Sequence, residues 1–378
     1  MALTGNVLTG LSSPIFQGLD IVSREQVGLI PAVARNAEAS GAAKNQKVIV
    51  PIAPPAELYD VVPAAVHPER GNDTIGNTEM EIQYVKTASL EWTGEEMGYV
   101  GTNKESILAG QFAQRFRALA NFIELTGAAE YKKFSRAYGT AGLTPFGSAI
   151  TDSAQVRKLL ADNGAPLSDL KLVLDSAAGA NLRALGILTK ANEAGTDTTL
   201  RNGVLGNLHG FELHESGQLL PHTPGLYTTG DTTGADEPVG ETAIAVTSGA
   251  GDYVAGDVIW FGTDTAHKYV VVSATTSVIT IAAPGLKVAV ATGTAVNQAD
   301  SFTPNMAFDR NAIILLARLP LMPEGGDSAS DVMTVTDPIS GIPFQVAYYK
   351  GFHSVHIEIS VAFGWKVVKP EHTALLLG

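Results

Sequence analysis

The sequence predicts a mixed α+β fold, with one long amphipathic helix, several short strands and a small β-rich unit inserted late in the chain. Apolar residues recur at three- and four-residue steps from Leu108 to Ile123, which is the period of a helix. Apolar and polar residues alternate at 79–84 and 355–361, as in half-buried strands. Between 222 and 303 the composition becomes rich in Thr, Val, Gly and Ala. With 378 residues, 45% of them hydrophobic, the chain can form two or three domains.

Composition excludes several classes of function. The chain has no Cys, which rules out disulfides, thiolate catalysis and Cys-containing metal sites. Its net charge is -13, and the first fifty residues hold only Arg24, Arg35, Lys44 and Lys47 as basic residues, too few to condense nucleic acid. No run of about 18 apolar residues and no secretory signal pattern occurs, so we expect a chain made in the cytosol with no membrane partner.

The first hundred residues predict segments that project from a body. Residues 1–47 are rich in Ala, Gly, Asn and Ser without a sustained period, which indicates an extended arm. A short strand at 48–52, a turn-rich tip at 67–73 and the alternating strand at 79–84 indicate a long β-hairpin. Because a two-stranded hairpin cannot bury its own apolar face, we expect another molecule to cover it.

The middle of the chain predicts helices around a buried strand. Thr102 and Glu105 have the spacing of a capping box, which predicts the start of the long helix. Its stripe continues to about residue 138, with a kink or break expected near Gly127. Further helices are predicted at 153–161 and 177–188, on either side of a strand at 170–174.

The segment 222–303 predicts a small β-barrel or sandwich inserted into the α+β body. It contains eight acidic residues against two Lys and no Arg. Short β-type runs separated by Gly turns are typical of such a unit. The predicted strands are 243–246, 258–261, 269–272 and 278–281.

Known catalytic motifs are absent from the sequence. It contains no nucleophile elbow, phosphate-binding loop or His-Glu-x-x-His helix. Gly203, Gly206 and Gly210 lie close together without the dinucleotide-binding spacing, so we interpret them as turn and packing residues.

The histidines are weak candidates for a metal site. In a strand, His356 and Glu358 share a face, whereas His353 points to the other, and two ligands are too few for a closed site. His209 and His214 diverge in the same way. We therefore expect polar or surface roles for all of them.

Two further groups were weighed as sites. Glu95 and Glu96 beside Trp92 could support acid–base chemistry, but no partner is visible and a solvated face is favoured. Trp260 and Phe261 could form a sugar-binding platform, but a Trp in an alternating strand is more often part of a core. The sequence thus predicts no catalytic, cofactor-binding or metal-ligating residues, no cofactor and no enzymatic activity.

Three segments resemble the major coat proteins of tailed bacteriophages with the Hong Kong 97-type capsid fold, in the short-tailed-phage branch that carries an inserted β-barrel. The first contains Gly210 and Phe211, a strand, Ser216 and a closing Leu-Pro pair, and the last contains a Gly-Trp pair and a Pro-Glu pair. The sequence departs from the family at Asp309, where a His is common, and at Leu319, one step from the usual Arg-Pro pair. The segments are 206–221, 307–320 and 337–371.

The resemblance implies a division of the chain into an arm, a hairpin, two body domains and the insertion. The hairpin, about 56–101, would reach over a neighbouring subunit. The implied parts are the N-terminal arm (1–47), the extended hairpin with flanking strands (48–101), the peripheral domain with its spine helix (102–165), the axial domain with closing peripheral strands (166–221 and 304–378) and the inserted β-barrel (222–303).

The resemblance also implies a function. Copies of the chain would form hexamers and pentamers of an icosahedral shell, assembled in the host cytoplasm with a scaffolding protein and a portal, and the virion would enclose double-stranded DNA through weak non-specific contact. A cellular nanocompartment shell protein is one alternative. A secreted β-rich carbohydrate-binding or adhesive protein, indicated by Trp260, is another. Lys86 lies where a cross-linking Lys could be, although a surface Lys is favoured.

Overall fold

The fold is mixed α+β, which confirms the predicted class. The computed structural model describes residues 7–25, 28–52, 60–61, 63, 76–99, 104–186, 206–226, 231–247 and 253–378. The helices are α1 (Val7–Glu25), α2 (Leu29–Ala32), α3 (Gly94–Tyr99), α4 (Lys104–Ala128), α5 (Thr151–Asp162) and α6 (Ser176–Ala184).

The strands form two large sheets and a separate two-stranded sheet. They are β1 (Ala34–Ala42), β2 (Lys47–Ile52), β3 (Gly76–Glu81), β4 (Tyr84–Thr93), β5 (Arg136–Tyr138), β6 (Leu170–Leu174), β7 (Asn207–Leu208), β8 (Phe211–Glu215), β9 (Ala243–Ala245), β10 (Val258–Phe261), β11 (Lys268–Ala274), β12 (Val278–Ile281), β13 (Val296–Gln298), β14 (Pro304–Asp309), β15 (Ile313–Pro320), β16 (Asp331–Thr336), β17 (Pro343–Lys350), β18 (Ser354–Val367) and β19 (Thr373–Leu377).

The first sheet packs against the long helix α4. Its strand order is β1-β15-β18-β17-β16, and β4 pairs with β18. The apolar stripe of α4 faces this sheet: the rings of Phe116 and Phe344 lie 5.2 Å apart edge to face. The indole Nε1 of Trp365 donates to the carbonyl of Ile123 at 3.1 Å. The predicted helix stripe is therefore the main core contact.

The second sheet is built from the middle and the end of the chain. β19, the last strand, lies between β5 and β14. On its other side β14 pairs with β6, and β8 and β7 follow in that order. All five residues of β6 are buried, as predicted for 170–174. Helices α5 and α6 pack against this sheet through Val156, Leu160 and Leu182. The sheet thus joins segments that lie far apart in sequence.

Strands β9–β13 of the segment 222–303 enclose a core of their own, which includes Ile244, Ile259 and Phe261. The segment 231–234 hydrogen bonds to β9 and to the residues just before β13. Thr233 N donates to Thr294 O at 2.9 Å, and Gly234 N donates to Ala245 O at 2.8 Å. β11 pairs with β5, which joins the unit to the second sheet. The predicted strands 258–261 and 278–281 coincide with β10 and β12.

The prediction of an extended arm over 1–47 is wrong for its described part. Helix α1 packs on α4 with Ile15, Leu19 and Val22 buried. A Cβ added at Gly18 would lie 2.9 Å from the backbone N of Ala113, so this glycine allows the close approach of the helices. The i, i+4, i+7 spacing of the buried residues was obscured by Gly, Ser and Pro14, which is tolerated inside α1.

β1 is also part of the body and not of an arm. It pairs in parallel with β15, from Ala34↔Ile314 to Ala42↔Pro320. The guanidinium of Arg318 donates to the carbonyl of Asn36 at 2.8 Å. Parallel pairing joins strands that are remote in sequence, so local pattern gave no sign of it.

The predicted kink or break near Gly127 is confirmed as a break, because the α-helix ends one residue later, at Ala128. Helix α4 continues to Ala128 and is followed by a 3-10 helix, Ala129–Lys133. A Cβ added at Gly127 would lie 2.5 Å from Cζ2 of Trp365, so the glycine is required for packing rather than for bending. Thr102, the expected capping residue, and the end of the predicted helix 177–188 lie outside the described residues.

Candidate functional site

A two-stranded β-ribbon, consisting of β2 and β3, is separate from the two large sheets. The strands pair antiparallel from Lys47↔Glu81 to Ile52↔Gly76 and belong to neither large sheet. At its root, Asn45 N donates to Ile82 O at 2.9 Å. The predicted tip at 67–73 lies outside the described residues.

The root of the ribbon is fixed to the first sheet. Met80 and Ile82 are buried against Leu316 and Ala362. A Cβ added at Gly364 would lie 2.0 Å from the carbonyl O of Glu81, so only glycine allows the ribbon to pass this close. The direction in which the ribbon leaves the body is therefore set by close packing.

On one face of the ribbon, the described side chains are open to solvent. Ile49 is 62% exposed. The ion pair between Lys47 and Glu79 joins side chains that are 59% and 55% exposed. An isolated two-stranded sheet is marginally stable in water, so this surface is suited to contact with another molecule.

The projecting part is shorter than the resemblance implies. β4 pairs with β18 along its whole length, from Tyr84↔Phe363 to Thr93↔Ser354. The ribbon therefore ends at Glu81 rather than near 101. Lys86 lies on β4 with its Nζ 4.9 Å from the ring centroid of Phe122, where it covers an aromatic side chain.

The turn between β17 and β18 presents a second exposed apolar group. Phe352 is 93% exposed. The turn is held by Gly351 N donating to Ser354 O at 2.9 Å and Gly94 N donating to His353 O at 3.1 Å. The aromatic ring is thus presented from a well-braced turn, a favourable arrangement for a protein contact.

The structure does not bring the candidate histidines together. His356 Nε2 lies 3.0 Å from Glu358 Oε1, as expected for two residues on one strand face, whereas His353 lies in the turn with φ of 56°. His209 hydrogen bonds to Ser153 through Nδ1 at 2.8 Å. His214 Nε2 lies 3.5 Å from Glu212 Oε1. Within the described ranges, no group of three or more potential ligands could hold a metal ion.

Glu96 caps a helix. Its carboxylate accepts hydrogen bonds from Thr93 N at 2.8 Å and Thr93 Oγ1 at 3.0 Å, at the start of α3. The backbone hydrogen bond from Thr93 lowers the pKa of Glu96. Trp92 is buried and donates to Gln111 at 2.7 Å, while Glu95 is exposed. These contacts are structural and provide no acid–base pair.

The other sequence candidates have packing or turn roles. Gly210 has φ of 83° and follows His209 in the tight turn between β7 and β8. Gly203 lies outside the described residues. Phe261 is buried in the core of the insertion, whereas Trp260 is half-buried with Lys268 Nζ 5.6 Å from its ring centroid.

Sequence reasoning missed a buried polar network at the junction of the insertion and the body. Tyr131 Oη hydrogen bonds to His222 Nδ1 at 2.6 Å, and His222 Nε2 to Asp257 at 2.7 Å. Asp257 also accepts from Val254 N at 2.7 Å. Burial raises the pKa of Tyr131 to about 12, so the phenol remains a donor. The position of His222 at the composition boundary was the available signal.

A second missed group is Glu124 on α4. Its carboxylate accepts from Ser216 Oγ at 2.9 Å and from the backbone N of Ile30 at 3.4 Å. Burial raises the pKa of Glu124, and these hydrogen bonds oppose the rise. The residue joins α4 to α2 and to the end of β8, which is a structural role.

No described helix has the length and apolar character needed to cross a membrane. No protein-family model matches the chain, and no curated protein matches it.

Among solved structures, the chain is similar to one from Mycobacterium phage Che8, with 16% identity, a TM-score of 0.46 and coverage of 92% of this chain and 90% of that chain. It is similar to the capsid of the cyanophage P-SCSP1u, with 11% identity, a TM-score of 0.47 and coverage of 92% and 86%. It is also similar to the virus-like particle from Pyrococcus furiosus, with 9% identity, a TM-score of 0.44 and coverage of 97% and 98%.

Proposed function

We propose that this chain is the major capsid protein of a tailed bacteriophage, a non-catalytic subunit that assembles into an icosahedral shell around double-stranded DNA. The observation that carries the proposal is the ribbon: Gly364 allows its root to pack closely on the body, and its face with Ile49 is exposed. A surface of this kind is stabilised when a neighbouring copy covers it. The arm, which is part of the body, gives no support to the proposal.

The resembling segments occupy the positions at which the body is held together. Ser216 in the first segment bonds Glu124 on the long helix. The second segment runs from β14 of one sheet to β15 of the other. Trp365 in the third segment packs on Gly127 of α4. A subunit that is built into a shell needs such a rigid body beneath its projecting surfaces.

Under this proposal, each interface contributes modestly and the shell is stabilised by many repeated contacts. The net charge of -13 suits a container that is filled with DNA, since strong attraction to phosphate would hinder filling and release. A scaffolding protein and a portal would be required partners, and the assembled protein would reside in the virion after assembly in the host cytoplasm. The segment 222–303 would be an inserted β-barrel that decorates the outside or braces neighbours.

Removing the hairpin tip tests the proposal. Deletion of residues 65–77 is expected to leave a folded monomer, because the buried root residues Met80 and Ile82 are retained. Circular dichroism and thermal unfolding measure the fold, while sedimentation velocity measures assembly. The proposal requires failed or misdirected assembly of a folded subunit.

A point variant gives a sharper test with a matched control. Ile49→Asp places a charge on the exposed ribbon and is expected to block assembly by burying an unpaired carboxylate at the contact. Ile49→Val keeps the apolar surface and should assemble normally. Normal assembly of Ile49→Asp, or loss of the monomer fold in the tip deletion, would contradict the proposed role of the ribbon.

A further inference from the structure

A cleft lies where the insertion meets the second sheet. Its volume is about 550 Å³, within the range of small-molecule sites. It is formed by strand ends of both units and by one face of α5. The side chains that matter here are Tyr138, Gln155, Lys158, Trp260, Thr265 and Lys268.

Trp260 faces this cleft because of its position in β10. Its neighbours Ile259 and Phe261 belong to the core of the insertion, whereas Val258 and Trp260 pack toward the main core of the body. Trp260 remains half-buried, while Trp92 and Trp365 are 6% and 1% exposed. It therefore offers an aromatic surface at the cleft and serves as a spectroscopic probe of it.

The cleft is positively charged in an acidic protein. Lys158 and Lys268 line it, and none of its described lining residues is Asp or Glu. Lys268 donates to the carbonyl of Gly139 and lies near the Trp260 ring. Among the described residues, no carboxylate lies within ion-pair distance of Lys268, and burial lowers its pKa. An anionic ligand would supply the charge that this half-buried ammonium group lacks.

The remaining groups fit a sugar better than a nucleic acid. Gln155, Thr265 and Thr140 provide amide and hydroxyl groups that can bond to sugar hydroxyls. An aromatic face accommodates the apolar side of a sugar ring. A sugar unit offers more hydroxyl groups to these side chains than a nucleotide does, and the two lysines match its single carboxylate.

We propose that this cleft binds a carboxylated sugar unit of an acidic polysaccharide, with the sugar ring against Trp260 and the carboxylate facing Lys158 and Lys268. This binding activity is separate from shell assembly. It is measurable on the full chain in any assembly state.

The test uses tetragalacturonate as the probe and its fully methyl-esterified form as the matched neutral ligand. Titration calorimetry and tryptophan fluorescence should show saturable binding of the acid. The affinity for the ester should be lower than that for the acid by roughly tenfold or more. Lys268→Gln should weaken binding of the acid by roughly tenfold. Trp260→Leu should abolish both binding and the fluorescence change.

Lys287→Gln is the control variant. Lys287 also belongs to the insertion, but its Nζ donates to the carbonyl of Asp162 at 3.2 Å, outside the cleft, so binding should be unchanged. Trp260 also contacts the core, so Trp260→Leu could fail to fold. In that case, the binding affinities of Lys268→Gln for the acid and of the wild type for the ester still test the proposal. Equal binding of acid and ester, no saturation at millimolar concentration, or tighter binding of adenosine monophosphate would each overturn the proposal.

Discussion

Gly127 lies where α4 packs closely against Trp365 of the first sheet. Gly127→Ala would force its new methyl group into Trp365, whose Cζ2 would lie 2.5 Å from the added Cβ. We expect a loss of about 1–3 kcal/mol in the free energy of unfolding, as for other overpacked cores. The free energy of unfolding of both proteins is measured by urea denaturation, followed by tryptophan fluorescence.

Gly110 provides the control on the same helix. A Cβ added there would meet no atom within 4 Å. Gly110→Ala should therefore be neutral or stabilising by up to about 1 kcal/mol, because Ala is the better helix former. Equal effects of the two substitutions would contradict the packing role of Gly127.

Glu124 makes stability depend on pH. Burial raises its pKa in the folded protein, so the native state binds this proton more tightly than the unfolded chain does. The resulting stabilisation is fully present below the unfolded carboxyl pKa of about 4.3 and is lost as pH rises through the folded pKa. Between pH 4 and pH 7, the wild type should therefore lose stability relative to Glu124→Gln.

Urea unfolding of both proteins across this pH range gives the difference in free energy directly. Glu105→Gln, an exposed position on the same helix, should show no such trend. A difference between wild type and Glu124→Gln that stays constant with pH would show that the carboxyl group is not perturbed by burial.

At the level of elements, a buried cation reinforces the strand pairing that holds β1 to the body. Arg318 is 4% exposed and donates to both the carbonyl and the Oδ1 of Asn36, at 2.8 and 2.9 Å. Arg318→Met should weaken this attachment, and amide exchange in 34–42 should become roughly tenfold faster or more. Hydrogen exchange measured by mass spectrometry resolves the segment.

Exchange in β17 should change little in this variant, since the effect is local. Arg115→Met is the control, because Arg115 lies on α4 and donates to Ser89 O from an exposed position. Unchanged protection of β1 in Arg318→Met would mean that the parallel strand pairing alone holds it.

Elements with a strong local pattern could be predicted from the sequence. β6, β10 and β12 were located because short apolar runs between turn residues are local signals. α1 was missed because its apolar spacing is interrupted by small residues and Pro14. β1 was missed because its partner β15 lies remote in sequence.

The candidate surfaces were only partly predictable. The hairpin followed from alternation at 79–84, but its root depends on Gly364, which no local pattern connects with Glu81. The network of Tyr131, His222 and Asp257 joins residues from separate segments, so spacing could not reveal it. Trp260 was correctly placed on a strand, and only the fold showed that it faces a cleft with Lys268.

At the scale of the whole molecule, the described chain is a body of two large sheets that carries exposed apolar side chains on its surface. In the leading segment, which was expected to be an arm, helix α1 packs on α4 and leaves Phe16 and Ile21 exposed. The ribbon with Ile49 and the turn with Phe352 remain exposed. Both surfaces are available for contacts between copies.

Particle formation tests the central claim most directly. The purified chain, alone and co-expressed with its scaffolding protein, would be observed by negative-stain electron microscopy and sedimentation velocity. Closed particles of uniform size are the predicted result. A stable monomer or small oligomer under all these conditions would contradict the account.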